Sequence, residues 1–467
     1  MGLSKKEKAA YSLGAVGKDM VYMLSASYML YYYQDVLGVS AIAVGVILLV
    51  ARIFDAFNDP IMGVIVAKTK TKYGRFRTWI FIGTLLNAVF LILLFAAPPA
   101  LDGPGLVAYA AVMYIMWGIT YTMMDIPFWS MIPAFTREGK ERESVSSLAR
   151  SFAGVGSTLI TVLTVKLVEL LGGGEERKGF AFLAIIVAIL FFVFIFIMCK
   201  CVKEKSNVDI ETPSVSEMLK SLVKNDQAMT VVIAIVLINC SLYITSNLVI
   251  YFFKYDFSIN SSASWTSMYT IFNSVGGATQ ILSMLVLYPL LRKAFSAIKV
   301  FYISFGAAIA GYGVLFAILL IDSSNMVLLL VPGVIIFAAF GCLTVLTTVF
   351  LAHTVDYGEW KNHHRDESVI FSMQTFVVKL ASGVAAMAAS ITLSLANLAE
   401  DSSETVTTVA SSDELMILRG TMTIIPIVGM IIAVIIFAKK YILTDEKMKE
   451  IASVIRPGGK SQKEAGE

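Results

Sequence analysis

Charged residues are scarce in this sequence, and that scarcity narrows its class. Only 15% of the 467 residues are charged, whereas 57% are hydrophobic, and the mean hydropathy is +0.77. An ordinary soluble domain carries about 25% charged residues. The net charge of +3 is too small to favour a nucleic-acid partner. The composition therefore indicates a polytopic membrane protein that binds no nucleic acid.

Reactive side chains are equally few. The four cysteines lie in or beside apolar segments without the paired spacing of a disulfide framework, and Cys199-x-Cys201 has no companion metal ligands. The three histidines offer little material for a proton relay. We expect no cleavable signal peptide, because the first apolar run is too long and no small-residue cleavage site precedes it. No nucleophile motif stands out, so we expect neither an enzyme nor an organic cofactor.

Long apolar runs are what the chain has in abundance. Twelve of them are long enough to cross the roughly 30 Å hydrocarbon core of a bilayer. Basic residues concentrate in alternate connectors, which by the positive-inside rule places both termini in the cytoplasm. The predicted spans are 11–36, 41–67, 78–98, 106–132, 150–171, 180–201, 228–254, 265–290, 297–321, 326–352, 368–398 and 416–440.

The longest polar connector falls midway and divides the spans six plus six. Two helical bundles with a substrate site at the midplane are typical of secondary transporters. The predicted organisation is an N-terminal six-helix bundle at 1–202, a cytoplasmic middle loop at 203–227, a C-terminal six-helix bundle at 228–443 and a cytoplasmic tail at 444–467.

The second span carries charges that an apolar segment does not need. Arg52, Asp55 and Asp59 follow at i, i+3 and i+7, so one side of a helix carries all three, with Asn58 beside them. A charge at the middle of a membrane helix costs about 2.5–3.5 kcal/mol on insertion scales. Two carboxylates one turn apart repel unless a proton or cation neutralises them. We therefore expect a bound monovalent cation; the alternative is an Arg–Asp pair that only locks two helices together.

The first and fourth spans carry polar residues that suit a sugar. Lys18 and Asp19 are adjacent and face different directions, so each is expected to have its own partner. Tyr121, Asp125 and Trp129 recur every four residues along one side of a helix. Carboxylates accept hydrogen bonds from sugar hydroxyls, and an aromatic plane packs on the C–H face of the ring. Alternatively, the first pair snorkels to the membrane surface and the tryptophan belongs to an interfacial belt.

Other polar positions keep two interpretations open. Arg150 begins the fifth span and is either a second donor to the substrate or a cytoplasmic anchor. Lys379, inside the eleventh span, is expected to pair with Asp55 or Asp59. The polar residues of 353–361 form either gating salt bridges or a solvated loop.

Several stretches of the sequence resemble one transporter family. The chain is similar to the glycoside–pentoside–hexuronide:cation symporters of the major facilitator superfamily, and among them to members that carry melibiose. The matching stretches cover nearly the whole chain and are denser in the first half. They include GKD at 17–19, YMLYYYQDVLG at 28–38, LVARIFDAFNDPIMG at 49–63, MWGITYTMMDIPFWSMIP at 116–133, VDYGEWK at 355–361 and SMQTFVVK at 372–379.

The resemblance implies roles for individual positions. The coupling ion would be sodium, lithium or a proton, and Arg52 and Lys379 would be linked to its site. The implied cation ligands are Asp55, Asn58, Asp59 and Thr122. The implied sugar contacts are Lys18, Asp19, Tyr121, Asp125, Trp129 and Arg150 in the first half, with Gln374 and Thr375 in the second.

The implied function is cation-coupled symport, driven by Na+ or H+, that imports a galactoside such as melibiose by alternating access. We expect a multi-pass monomer in the cell inner (plasma) membrane. Two departures, Thr344 for a tryptophan and His353 for an acid, affect the half expected to bind the rest of the glycoside. Alternatives are a symporter for a β-galactoside, a xyloside or a glucuronide and, outside the class, a membrane sugar sensor. Asp19 and Asp125 argue against a glucuronide, because they would repel its carboxylate.

Overall fold

The protein is built from helices. The computed structural model describes residues 3–136, 140–204, 216, 220, 223–362, 367–398 and 411–455. Within these ranges every regular element is a helix, which confirms the predicted all-α class. The first helices are α1 (Lys5–Tyr31), α2 (Ala41–Lys68), α3 (Arg75–Phe95), α4 (Gly103–Ser130), α5 (Ile132–Phe135), α6 (Lys140–Gly172) and α7 (Glu176–Cys201). The later ones are α8 (Asp226–Tyr251), α9 (Ser258–Asn260), α10 (Trp265–Leu282), α11 (Tyr288–Ala294), α12 (Ala297–Ile321), α13 (Met326–Asn362), α14 (Glu367–Leu395), α15 (Ser412–Lys440) and α16 (Asp445–Ile455).

Eleven helical stretches in the described part of the chain are long and apolar enough to cross a membrane. Helix α1 is not among them, although its 27 residues would suffice in length. Lys18, Asp19 and four tyrosines lower its hydropathy. The structure therefore supports a polytopic membrane protein. The first predicted span, 11–36, which would bring the count to twelve, stays a prediction.

Helix α2 shows the reversed polarity that a bilayer selects. Its large apolar side chains at Ile42, Val46 and Phe57 are exposed, whereas Arg52 and Asp55 are each only 6% exposed. In water, apolar groups pack inward and charges face out. Lipid inverts the preference, because charged groups in the hydrocarbon region must find partners inside the protein.

Capping groups fix where particular helices begin. The Ser4 hydroxyl accepts a hydrogen bond from Glu7 N, and the Glu7 carboxylate accepts one from Ser4 N, which forms a capping box at the start of α1. Helix α3 is capped from a distance: the Glu204 carboxylate accepts hydrogen bonds from the first three backbone N–H groups of the helix, at residues 75–77, each at 2.9 Å. The preceding Gly74 has φ +107°, and a Cβ there would collide with this carboxylate.

The chain divides into two compact units. Unit 1 comprises Met1–Thr212, Phe253–Ser274 and Ala386–Ile417, and unit 2 comprises the remainder. In unit 1, α1 packs on α6 and α7, and α4 packs on α2 and α3. In unit 2, α13 packs on α8, α12 and α16. The charged residues of the first, second and fourth predicted spans therefore all belong to unit 1.

Candidate functional site

The first group of buried charges surrounds Lys18, on α1. This lysine is 4% exposed, and its Nζ lies 3.1 Å from Asp19 Oδ1 and 2.6 Å from Asp125 Oδ1. It also donates a hydrogen bond to the Tyr121 hydroxyl at 3.0 Å. One ammonium therefore faces two carboxylates, one from α1 and one from α4. We call Lys18, Asp19, Tyr121, Asp125 and Trp129 the lysine cluster.

The two adjacent charges on α1 have partners on different helices. Lys18 turns to α4, whereas Asp19 Oδ2 accepts a hydrogen bond from Ser157 on α6 at 2.9 Å. Helix α6 comes this close because Gly156 has no side chain: a Cβ there would collide with the Val16 carbonyl oxygen. Ser157 was not among the sequence candidates. The small-residue run that precedes it, GVG at 154–156, was the available signal.

Trp129 supplies an aromatic plane beside these carboxylates. Its ring centre lies 5.2 Å from Lys18 Nζ and 4.8 Å from the guanidinium carbon of Arg150. Such distances allow cation–π attraction to both cations. Arg150 is exposed on α6, so the structure places it next to this tryptophan without burying it. The cluster combines hydrogen-bond acceptors, a donor and a ring face, which is the set of groups that a sugar requires.

The second group of charges lies between α2 and α4. Arg52 Nη1 contacts Asp55 Oδ2 at 3.1 Å, and Arg52 Nη2 donates to the Tyr114 hydroxyl at 3.1 Å. Thr122 donates a hydrogen bond to Asp59 Oδ1 at 3.0 Å. Two carboxylates on successive turns of α2 thus face α4. We call Arg52, Asp55, Asn58, Asp59 and Thr122 the arginine cluster.

This donor set fits a monovalent cation. Asp55 Oδ1 would lie 2.9 Å from a Cβ at Gly118, one turn before Thr122, so α4 leaves just enough room for the carboxylate. Asn58 Nδ2 is buried and has no hydrogen-bond partner in the described part of the chain. A turn of this amide by 180° about its last side-chain bond puts its oxygen at the same position. Carboxylate, amide and hydroxyl oxygens are the ligands that hard cations take.

A stack of aromatic rings on α4 runs from one cluster to the other. The ring centres of Tyr114 and Trp117 are 5.7 Å apart, and those of Trp117 and Tyr121 are 5.3 Å apart, with interplanar angles of 16° and 21°. At one end of the stack, Tyr114 accepts a hydrogen bond from Arg52. At the other end, Tyr121 accepts one from Lys18. Neither Tyr114 nor Trp117 was a sequence candidate, although the three rings recur at i, i+3 and i+7.

The candidate sugar contacts of unit 2 are neutral. Gln374 Nε2 donates to Thr348 Oγ1 at 3.4 Å, and Thr344 Oγ1 donates to the Phe340 carbonyl of its own helix at 2.8 Å. The side chain of Thr375 lies outside the described part of the structure. Lys379 is half-buried on α14 in unit 2, so its pairing with an aspartate of α2 stays a prediction.

The polar end of α13 contains a defined ion pair. Lys361 Nζ lies 2.6 Å from Asp226 Oδ1, which also accepts a hydrogen bond from Tyr357 at 3.1 Å. His353 Nδ1 lies 3.4 Å from the Tyr441 hydroxyl. Both contacts are within unit 2, and residues 353–362 continue the helix rather than form a loop.

Comparison with known proteins gives one consistent result. The sequence profile of the family described as MFS/sugar transport protein matches residues 10–445. The chain is 28% identical to the raffinose carrier protein of Pediococcus pentosaceus, and the match covers 95% of this chain and 70% of that protein. It is 28% identical over 392 residues to the isoprimeverose transporter of Lactiplantibacillus pentosus, covering 83% and 80%. It is 26% identical over 457 residues to the inner membrane symporter YicJ of Escherichia coli K12, covering 98% and 96%.

Solved structures support the same fold. A bacterial homologue of the human lysosomal transporter Spinster, in an inward-facing and unoccupied conformation, superimposes with a TM-score of 0.68. The match covers 96% of this chain and 99% of the transporter chain. At 11% sequence identity it is evidence for the fold alone.

Proposed function

The chain belongs to the family of MFS sugar transport proteins, and on that premise we propose that it is a cation-coupled symporter that imports a galactoside such as melibiose. The protein is a membrane sugar transporter and not an enzyme, as its carrier, transporter and symporter relatives indicate. The particular sugar and the coupling by Na+ or H+ are our inference from the two clusters.

One observation carries this proposal. Asp19 and Asp125 share a single ammonium, that of Lys18, at 3.1 and 2.6 Å, beside the ring of Trp129. Two carboxylates with one cation retain acceptor capacity for neighbouring sugar hydroxyls, and hydrogen bonds to a charged acceptor are about twice as strong as neutral ones. The ring face offers the apolar contact that aligns a pyranose.

The cation binds at the arginine cluster. Arg52 compensates Asp55, and the oxygens of Asp59, Thr122 and Asn58 provide the remaining ligands. A bound cation removes the repulsion between the two carboxylates of α2 and draws them towards α4, whose Thr122 takes part in the site. Because α4 also carries Tyr121 and Asp125, the sugar then meets a more ordered lysine cluster.

Sugar and cation affinities rise together as a consequence. If the cation raises sugar affinity by some factor, the sugar raises cation affinity by the same factor. The loaded site then becomes accessible from the other side of the membrane by alternating access, and both ligands dissociate there. Coupling follows because the singly loaded protein has the weaker site for the missing ligand.

The test is uptake of labelled melibiose into sealed membrane vesicles that contain the protein. The three conditions are a sodium gradient, a pH gradient, and both gradients collapsed. Vesicles without the protein are the control. Accumulation driven by sodium supports the whole proposal, and accumulation driven only by the pH gradient makes H+ the coupling ion.

Competing sugars decide the substrate class in the same vesicles. Unlabelled melibiose, raffinose, isoprimeverose, lactose and a glucuronide are each offered as competitors at a tenfold excess over the labelled melibiose. Stronger inhibition by isoprimeverose than by melibiose would replace the galactoside by a xyloside. Sugar binding without net flux under any gradient would contradict transport and indicate a sensor.

A further inference from the structure

Tyr22 on α1 contacts a member of each cluster. Its ring centre lies 5.6 Å from that of Tyr121, at an interplanar angle of 36°. The guanidinium carbon of Arg52 lies 5.9 Å from the same ring centre. Tyr22 follows Lys18 by four residues, so both side chains project from the same side of α1. One half-buried aromatic ring therefore lies between the lysine cluster and the arginine cluster.

The contacts through Tyr22 are continuous. Lys18 holds Tyr121 by a hydrogen bond of 3.0 Å, and Tyr121 packs on Tyr22. Tyr22 in turn packs on Arg52, and Arg52 Nη1 lies 3.1 Å from Asp55 Oδ2. Each link joins directly touching groups, so displacement of one side chain changes the energy of the next.

A second set of contacts reaches Arg52 along α4. The Tyr114 ring centre also lies 5.9 Å from the guanidinium carbon, on the aromatic stack that ends at Tyr121. That stack belongs to one helix and moves with it as a body. Tyr22 belongs to α1, so its contacts with Tyr121 on α4 and with Arg52 on α2 change whenever these three helices shift relative to one another.

A cation at Asp55 competes with Arg52 for the carboxylate. The guanidinium then depends more on its other contacts, which are the Tyr114 hydroxyl and the two tyrosine faces. A sugar bound at the lysine cluster holds the Tyr121 ring in place. Because Tyr121 packs on Tyr22, the sugar also sets the orientation of the Tyr22 ring towards Arg52. We propose that Tyr22 is the positioning residue through which the bound sugar and the bound cation raise each other's affinity. This inference rests on the proposed function.

The test measures coupling rather than activity. The dissociation constant of melibiose is determined on the purified full-length protein in nanodiscs, with saturating Na+ and in Na+-free choline buffer. The ratio of the two constants is the coupling factor, which in allosteric proteins is typically about 5- to 150-fold. The Tyr22→Leu variant should bring the ratio close to one while the Na+-free constant changes by less than about threefold.

Two variants separate the ring face from general damage to the helix. Tyr22→Phe keeps the face and removes the hydroxyl, so it should retain the wild-type ratio. Tyr28→Leu removes another ring from α1, one whose contacts are Thr161, Phe180 and Tyr269, so it should also retain the ratio. Because both constants are measured by sugar binding, each variant reports in the same experiment whether its sugar site has folded. If the leucine variant binds no sugar, Tyr22→Met fills the same space without an aromatic face and takes its place.

The outcomes are distinguishable. Loss of the ratio in Tyr22→Leu and its survival in Tyr22→Phe would support the role of Tyr22. A wild-type ratio in Tyr22→Leu, or an equal loss in Tyr28→Leu, would overturn that role and leave the symporter intact. A wild-type protein whose sugar affinity ignores Na+, Li+ and pH would overturn the proposed coupling itself, and with it any role of Tyr22 in it.

Discussion

The charged candidate residues of unit 1 and the neutral candidate residues of unit 2 are held in different ways. In unit 1 they are charges paired across helices: Lys18 on α1 with Asp125 on α4, and Arg52 on α2 with Tyr114 on α4. In unit 2 the side chains are neutral: Gln374 on α14 donates a hydrogen bond to Thr348 on α13 at 3.4 Å, and the exposed hydroxyl of Thr344 on α13 donates to a carbonyl of its own helix. Charges shared between helices make the position of one helix depend on another. Hydroxyls satisfied within one helix impose no such dependence.

The difference assigns separate tasks to the two units. Removing one member of a buried ion pair leaves a charge uncompensated, which is expensive, whereas a neutral hydroxyl can be lost at small cost. We therefore expect coupling and tight sugar contacts to depend on unit 1, and sugar preference to be adjusted in unit 2. Four substitutions test this contrast, given in order of decreasing expected effect.

The largest effect is expected from Asp59→Asn in the arginine cluster. The amide keeps an oxygen for the Thr122 hydroxyl but removes the charge that attracts the cation. Cation-driven accumulation of sugar should disappear, while exchange of sugar across vesicles with equal sugar on both sides persists. Accumulation measured under a sodium gradient checks it. Unchanged sodium dependence would remove Asp59 from the cation site.

The next effect is expected from Asp125→Asn in the lysine cluster. A hydrogen bond to a charged group contributes about 1.5–3 kcal/mol, so sugar affinity should fall by about 10- to 150-fold. Equilibrium binding of labelled melibiose measures it, with Asp322→Asn, a half-buried acid of a connector in unit 2, as the matched control. Equal effects of the two substitutions would contradict a specific sugar contact.

A smaller effect is expected from Gly118→Ala. The new Cβ would lie 2.9 Å from Asp55 Oδ1, so the carboxylate must shift, and overpacking of this kind costs about 1–3 kcal/mol. The sodium concentration for half-maximal uptake should rise about tenfold. Gly154→Ala is the control, because nothing lies within 4 Å of its Cβ position. An alanine at 118 without effect on sodium affinity would show that Asp55 has more freedom than its contacts indicate.

The smallest effect is expected from Thr348→Val in unit 2. The substitution keeps the shape and removes the hydroxyl that accepts from Gln374. A neutral hydrogen bond contributes about 0.5–1.5 kcal/mol net, so competition between melibiose and raffinose should shift by roughly two- to tenfold. Sodium dependence should stay as in the wild type. A change in sodium dependence larger than the change in sugar preference would refute the division of tasks between the units.

Much of the fold could be predicted because membrane spans can be recognised in a sequence by their length and hydropathy. The helical class follows from runs that are continuously apolar, since only helices and closed barrels satisfy the backbone in lipid. Helical segments that continue beyond the apolar runs were harder to predict from the sequence. Helix α13 continues to Asn362, about ten residues past the predicted span, because 353–362 contains no proline to end it. Part of the predicted tail forms α16, where Thr444 Oγ1 caps Lys447 N and Ile451 is buried.

The candidate site could be predicted in its charges but not in its geometry. Charges such as Arg52 and Asp125 are easy to identify in apolar segments. Placing a charge inside the membrane costs free energy, so a charge that is found there indicates a function or a partner. Tyr22 and Ser157 are ordinary residues for a membrane helix, and their relevance depends on how α1 is rotated against its neighbours. That rotation is set by tertiary packing, such as the close approach at Gly156, which one helix at a time does not reveal.

The cap on α3 has a consequence for the order of synthesis. Glu204 accepts hydrogen bonds from the first N–H groups of a helix 127 residues earlier in the chain. At a translation rate of about 5–20 residues per second, the ribosome takes roughly 6–25 s to add that intervening stretch. During this interval the first turn of α3 has no Glu204 to satisfy its amides. The N-terminal end of α3 is therefore completed only after α7 has been made, so that α3 and α7 are secured together in one step.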